Sequence, residues 1–223
     1  MSIYNPLHVI KYCFCGKPED IGTRRICPLS GWSSEVPESS KNVKTSFKVG
    51  VIGETLVGST SLCKRFVQDE INTNAITSMG PDCWAKGVQV ADQTANLQIW
   101  NIRGFGYSTG EDTSVELDWK PIKEYVCKGA HGVIFVYDVT SEKSFSNVKK
   151  YLEYLELDKC VIKVLAGNKI DKRDKQVVSY DDAMIFAKKN HMQFFQTSAL
   201  ENINVNEVFE SMAKSLLEQN VDS

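Results

Sequence analysis

Asn168, Lys169 and Asp171, in VLAGNKID (164–171), set an amide, a long cationic stem and a carboxylate on one turn directly after an apolar run. A carboxylate there can accept hydrogen bonds from a ring N–H and a neighbouring exocyclic amine, the edge that guanine presents and adenine does not. The asparagine has donors and an acceptor with which to tie neighbouring loops together, and the lysine's methylenes can cover a ring face. Upstream, GVIGETLVGSTSL (50–62) puts Gly53, Gly58 and Thr60 on the marks of the phosphate loop G-x-x-x-x-G-K-[ST], with Ser59 where the lysine belongs. A glycine-rich turn between a strand and a helix gathers N–H groups at the positive helix end, so Gly53, Gly58, Ser59, Thr60 and Ser61 are candidates to hold phosphate. Taken alone, that stretch also reads as a structural turn. The third signal is TSAL (197–200), where Ser198 can brace the loop, the Ala199 N–H can meet a base carbonyl, and Leu200 closes the tetrapeptide.

These groups need strand ends and helix starts to hold them. From Phe47 onward, short β-branched runs alternate with amphipathic stretches, the pattern of an α/β domain. Strands are expected at 47–52, about 85–92, 96–102, 132–138, 161–167 and 193–198. Helices are expected over Ser59–Gln68, Ser144–Leu155 and Val205–Glu218, where apolar residues recur at three- and four-residue spacing. A hydroxyl cap at Thr140 or Ser141 would start the middle helix. Its stripe of Phe145, Val148, Leu152 and Leu155, and that of Val205, Val208, Phe209, Met212 and Leu216, read as ordinary core.

A chain of 223 residues suits one sizeable domain with an appendage. Its 26 Lys+Arg and 28 Asp+Glu are interspersed, which argues against a nucleic-acid stripe or a polybasic membrane patch. Seven cysteines without a leader suggest a reduced, cytoplasmic protein, and no apolar run approaches the ~20 residues of a bilayer helix. Residues 1–46, rich in Ser, Pro, Gly and Cys, read as an extension and linker, 47–218 as the domain, and 219–223 as a short tail. Cys13, Cys15 and Cys27 with His8 fit no strong zinc spacing; acylation of the cysteine pair and an ordinary extension are the other readings. The ending LLEQNVDS lacks terminal cysteines and Met1-Ser2 excludes myristoylation, so no autonomous membrane anchor is expected.

FKVGVIGETLVGSTSLCKRFV, LQIWNIRG, KGAHGVIFVYDVTSEKSFSNVKKYL, GNKID and QTSALENINVNEVFESMA together resemble the Ras-superfamily small GTPases, and among them the Rab branch, over about 46–217. The resemblance implies a P-loop NTPase-like α/β fold: a six-stranded, mostly parallel sheet with helices on both faces, its second strand antiparallel to its third. The site would lie at the strand carboxyl ends. It also implies GDP or GTP as ligand, magnesium at Thr60 and Ser78, and Gly104 as a γ-phosphate sensor. A protein effector or assembly partner would dock on the switch face, around Trp100, and peripheral attachment to endomembranes would come through a partner.

The departures concern the phosphate side. Ser59 cannot supply the charge-assisted bonds of the family's lysine, and Leu56 stands where the family usually has glycine. WNIRGF replaces W-D-T-A-G-Q, so Asn101 takes the place of the aspartate that holds magnesium through water and Phe105 that of the glutamine that orients the attacking water. Ser78 replaces the switch threonine, and Ile71 an aromatic against the base. Cys83 and Val126 replace the outer aromatics of the effector patch; Trp100 is either its remaining member or covered core. STGEDTSVELDW (108–119) lies in a segment about ten residues longer than in a typical Rab, and reads as a tolerated insertion or a docking loop. The expectation is a weak or non-hydrolysing guanine-nucleotide module in vesicle traffic. The alternatives are a slow switch completed by a partner, with Arg103 presenting charge to phosphate, and a nucleotide-free scaffold.

Overall fold

The structure, a computed structural model, describes residues 10–12, 44–71, 80–103 and 122–221. Ser78, Gly104, Phe105, the 108–119 stretch, His8, Cys13, Cys15 and Cys27 lie outside the described residues. The elements are β1 (Ile10–Tyr12), β2 (Lys44–Gly53), α1 (Ser59–Gln68), β3 (Gly80–Val90) and β4 (Gln93–Arg103). A π-helical turn follows (Ile122–Cys127), then β5 (Gly132–Asp138), α2 (Glu142–Leu155), β6 (Ile162–Asn168), α3 (Tyr180–Lys189), β7 (Gln193–Thr197) and α4 (Val205–Val221).

The strands form one sheet in the order β1-β3-β4-β2-β5-β6-β7. β3 runs antiparallel to β4 and the pairs from β4 through β7 are parallel, as expected. The expected six strands gain a seventh: Ile10–Tyr12 of the N-terminal extension pairs antiparallel with β3, Tyr12 opposite Cys83. Three residues carry no readable alternation, which is why sequence periodicity passed over this strand. The first domain strand also starts earlier than expected, at Lys44, and α4 runs past residue 218 to Val221.

Both faces of the parallel strands are covered, so all seven residues of β5, GVIFVYD, are buried. On one face α1 and α4 pack, with Phe66 stacked on Phe209 at 4.0 Å between ring centroids. Val205, Val208, Phe209, Met212 and Leu216 are all buried there, each stabilising by about 1.5–3 kcal/mol as an upper range. α2 and α3 cover the other face with Val148, Tyr151, Leu155, Ala183 and Ala187, while Phe145 and Leu152 are partly buried. Ser141 starts α2 by accepting a hydrogen bond from the Ser144 N–H at 3.2 Å, and Ser179 starts α3 likewise from Asp182 at 3.0 Å. The ends of β2, β5, β6 and β7 bring Gly53, Asp138, Asn168 and Thr197 to one edge of the sheet.

Candidate nucleotide site

Three loops meet at that edge, and Asn168 joins them. Its side chain is 1% exposed. Nδ2 donates to the Val57 carbonyl of the glycine-rich loop at 2.9 Å, while Oδ1 accepts from Thr197 Oγ1 at 3.3 Å and from the Ala199 N–H at 3.1 Å. The glycine-rich loop and the N-K-x-D turn are thus in direct contact. The expected open N–H of Ala199 is instead committed to Asn168, so a base carbonyl would have to share it. Ser198 braces the loop as expected: its hydroxyl donates to Asp171 Oδ1 at 2.6 Å and accepts from the Glu201 N–H at 3.0 Å. Leu200 is exposed at the loop's surface.

Lys169 has a left-handed backbone, φ 71°. Its Nζ donates to the Leu56 carbonyl at 2.5 Å and to Asp138 Oδ2 at 2.6 Å. Asp138 was not among the sequence-derived candidates, although an acid ending a wholly apolar strand is a readable signal. Burial raises its pKa, but hydrogen bonds from Lys169 and from the Thr140 N–H and hydroxyl outweigh that and hold it below the ordinary 3.8. A depressed carboxyl contributes stability that is full above the unfolded value and disappears as pH falls through the folded one. The urea midpoint is therefore expected to drop from pH 5 to pH 3 with a component missing from Asp138→Asn; an identical pH dependence in the variant would contradict this.

The phosphate side is built differently. Gly58 precedes α1 at φ 92°, and no side chain caps that helix start. A Cβ on Gly58 would collide with Asn168 Nδ2, so only glycine admits both the turn and the tie. Ser59, 7% exposed, and Thr60 and Ser61 open the helix, leaving its N-terminal dipole for an anion. Leu56 has φ 69° and is 77% exposed, a left-handed conformation that costs a leucine about 1–2 kcal/mol. Glycine regains that strain but frees the unfolded chain by about 0.4–1 kcal/mol. Leu56→Gly is expected to raise Tm by about 1–4 °C; a lowered Tm in calorimetry would show the side chain to be stabilising.

Asn101 is fully buried behind Thr60. Its Nδ2 donates to Thr60 Oγ1 at 3.0 Å, and its Oδ1 has no hydrogen-bond partner. A carboxylate here would accept the hydroxyl proton and leave the oxygen lone pairs outward; the amide instead donates into one of them. An orphaned amide oxygen beside a threonine hydroxyl fits a hard cation in donor type but brings no charge. Among the described residues no group of three or more His, Cys, Asp or Glu converges to hold a metal.

On the adjoining face Trp100 is half-buried, opposite Cys83 in the β3–β4 register, with Lys48 Nζ 4.8 Å from its ring centroid. Burial lowers the Lys48 pKa, its largest cause, and pushes the Cys83 thiol up to about 12, so this cysteine is a small apolar neighbour and not a nucleophile.

The Ras family model matches residues 48–218. The chain belongs to the Ras family. Within it, this Ras-family chain is similar to the GTP-binding protein YPT1 of Saccharomyces cerevisiae, 39% identical over 176 residues, covering 77% of this chain and 79% of that one. It is 34% identical to the Ras-related protein Rab-13 of Rattus norvegicus over 173 residues, 77% of this chain and 80% of the relative. It is 33% identical to the Ras-related protein Rab-10 of Diplobatis ommata over 183 residues, 81% and 86% of the two chains. It is a Rab-like small GTPase homologue, and membership implies guanine nucleotide and magnesium in general. No helix among its described residues is long and apolar enough to cross a membrane.

Proposed function

We propose that this chain is a guanine-nucleotide-binding regulatory module of vesicle traffic that binds nucleotide weakly and does not hydrolyse it. The observation that carries the reading is the contrast across one site. On the base side every motif side chain is held: Asn168 by Val57, Thr197 and Ala199, Lys169 by Leu56 and Asp138, and Asp171 by Ser198. On the phosphate side Ser59 lacks a charge and Asn101 donates its amide to the Thr60 hydroxyl.

Asp171 keeps carboxylate capacity beyond the Ser198 bond for the base's N–H groups. Gly58, Ser59, Thr60 and Ser61 would hold phosphate through backbone N–H groups and the α1 dipole. Thr60 Oγ1 and Ser78 would hold magnesium, which when bound neutralises phosphate charge, while Asn101, whose amide donates to Thr60 Oγ1, brings that ion no charge. Gly104 would contribute its N–H to the terminal phosphate. Phe105 has no group to orient a water, and positioning with electrostatics supplies nearly all of this catalysis.

Chromatography of nucleotide released on denaturing the purified protein, with single-turnover GTP hydrolysis on the same sample, tests the reading. Guanine nucleotide substoichiometric to protein and negligible turnover are expected. Hydrolysis at the rate of an ordinary Rab would overturn the non-hydrolysing part and direct attention to Arg103.

The partner surface is the face around Trp100, and any association with endomembranes comes through that partner, from a cytoplasmic protein. Buried aromatics dominate interface energies, so Trp100→Ala is expected to cost a bound partner about 2 kcal/mol or more. A pull-down from native extract, comparing folded wild type, Trp100→Ala and a deletion of 108–118, checks this. Partners that survive both changes would place recognition elsewhere.

A further inference from the structure

Arg65, near the end of α1, reaches across to the loop that reads the base. Its side chain is only 17% exposed. Nε donates to the Ala199 carbonyl at 3.1 Å and Nη2 to the Leu200 carbonyl at 3.4 Å, while Nη1 donates to the Asp69 carbonyl at 2.9 Å and to Asp69 Oδ1 at 3.1 Å. A planar guanidinium engaging two consecutive carbonyls fixes the orientation of two successive peptide planes, which a lysine ammonium cannot do. The same loop is held by Asn168 at the Ala199 N–H, by Asp171 at the Ser198 hydroxyl, and by paired backbone bonds between Ser198 and Ile203 at 3.0 and 3.1 Å.

We propose that Arg65 is a positioning residue that sets base selectivity by anchoring the Ser198–Leu200 loop to α1, the helix whose start forms the phosphate site. The proposal rests on the guanine-binding reading. Mechanically, the Arg65 fork holds the Ala199 and Leu200 carbonyls toward α1, which keeps the Ala199 N–H on the Asn168 side and the Ser198 hydroxyl on Asp171. Releasing the carbonyls frees Ser198 and with it the orientation of the Asp171 carboxylate. α1 then links the two halves of the site: its first residues face phosphate, and about 9 Å along its axis Arg65 holds the base loop. The competing role is a helix end cap alone, since Arg65 also bonds Asp69, the residue that terminates α1 in a left-handed conformation.

The full chain is compared as wild type, Arg65→Ala, Arg65→Lys and Asp69→Ala. The first readout is amide hydrogen exchange at 198–203 without added nucleotide. The second is the ratio of GDP to IDP affinity, IDP lacking the exocyclic amine that Asp171 would accept. Arg65→Ala is expected to speed exchange at Ser198, Ala199 and Glu201 by about tenfold and to lower the GDP:IDP ratio by a similar factor, the scale of one lost charge-assisted hydrogen bond. Arg65→Lys should rescue neither fully, and Asp69→Ala should leave both near wild type. Wild-type exchange in folded Arg65→Ala overturns the anchor, and faster exchange with an unchanged ratio reduces Arg65 to a structural role. A wild type that binds neither nucleotide overturns the guanine reading and the selectivity claim with it, while the exchange readout still decides the anchor. Should Arg65→Ala not fold, Arg65→Gln, which keeps part of the stem, carries both readouts.

Discussion

Ser59→Lys combined with Asn101→Asp is expected to tighten GDP binding by about 10²–10⁴-fold and to make it magnesium-dependent. The lysine supplies charge-assisted hydrogen bonds to phosphate worth about 1.5–3 kcal/mol each, and together with a restored metal site the gain is about 3–6 kcal/mol if the effects add. The aspartate reverses the bond now made by Asn101 Nδ2, accepting the Thr60 proton and supplying the charge a hard dication prefers. Because position 101 is fully buried, Asn101→Asp alone should lower stability without a cation and recover part of it with magnesium and nucleotide. Titration of labelled GDP with and without magnesium, with melting temperatures of both single variants, checks the set. An unchanged affinity in the folded double variant would mean that the weakness lies elsewhere, with Leu56 the next residue to revert.

Asn168→Ala should cost the fold about 2–4 kcal/mol, more than any other single change at the site, whether or not nucleotide is present. The variant leaves the Val57 carbonyl and the Ala199 N–H without their partner in an interior position, and each unsatisfied buried group costs about 1–3 kcal/mol. It also leaves the Lys169 bond to the Leu56 carbonyl as the remaining side-chain tie between the glycine-rich loop and the N-K-x-D turn, so nucleotide binding should fall with stability. Urea unfolding measures the first effect. A shift below about 0.5 kcal/mol, the range of ordinary surface substitutions, would show that water replaces the amide at no cost and that the other ties, from Lys169 and Arg65, suffice to hold the loops.

The parts legible in the sequence were those governed by period and by strand-end chemistry. The apolar spacing of Val205, Val208, Phe209, Met212 and Leu216 gave a buried helix face because nothing but the core competes for such a stripe. Asn168 and Ser198 bond much as their side-chain chemistry suggested, since each has its partners in loops adjoining its own strand end. Arg65 was not legible: its acceptor lies 134 residues away, and an arginine on a helix reads as solvated until the tertiary packing is known. Asp138 is marked in the sequence as an acid ending a wholly apolar strand, but its pairing with Lys169, 31 residues on, depends on the fold bringing the two strand ends together. The commitment of the Ala199 N–H to Asn168 depends on where an amide oxygen comes to rest, which spacing does not encode. Leu56 was read as a missing glycine, but its left-handed φ and outward side chain follow only from the loop's closure.

The central claim is that base recognition has been kept while the phosphate and metal contacts have been weakened. The most direct test is titration of the unaltered chain with labelled GDP and ADP, each with and without magnesium. The account predicts weak binding with a clear preference for guanine and less than about a tenfold gain from magnesium, corresponding to ~1.4 kcal/mol. Tight GDP binding strongly enhanced by magnesium, or equal affinity for the two bases, would contradict it.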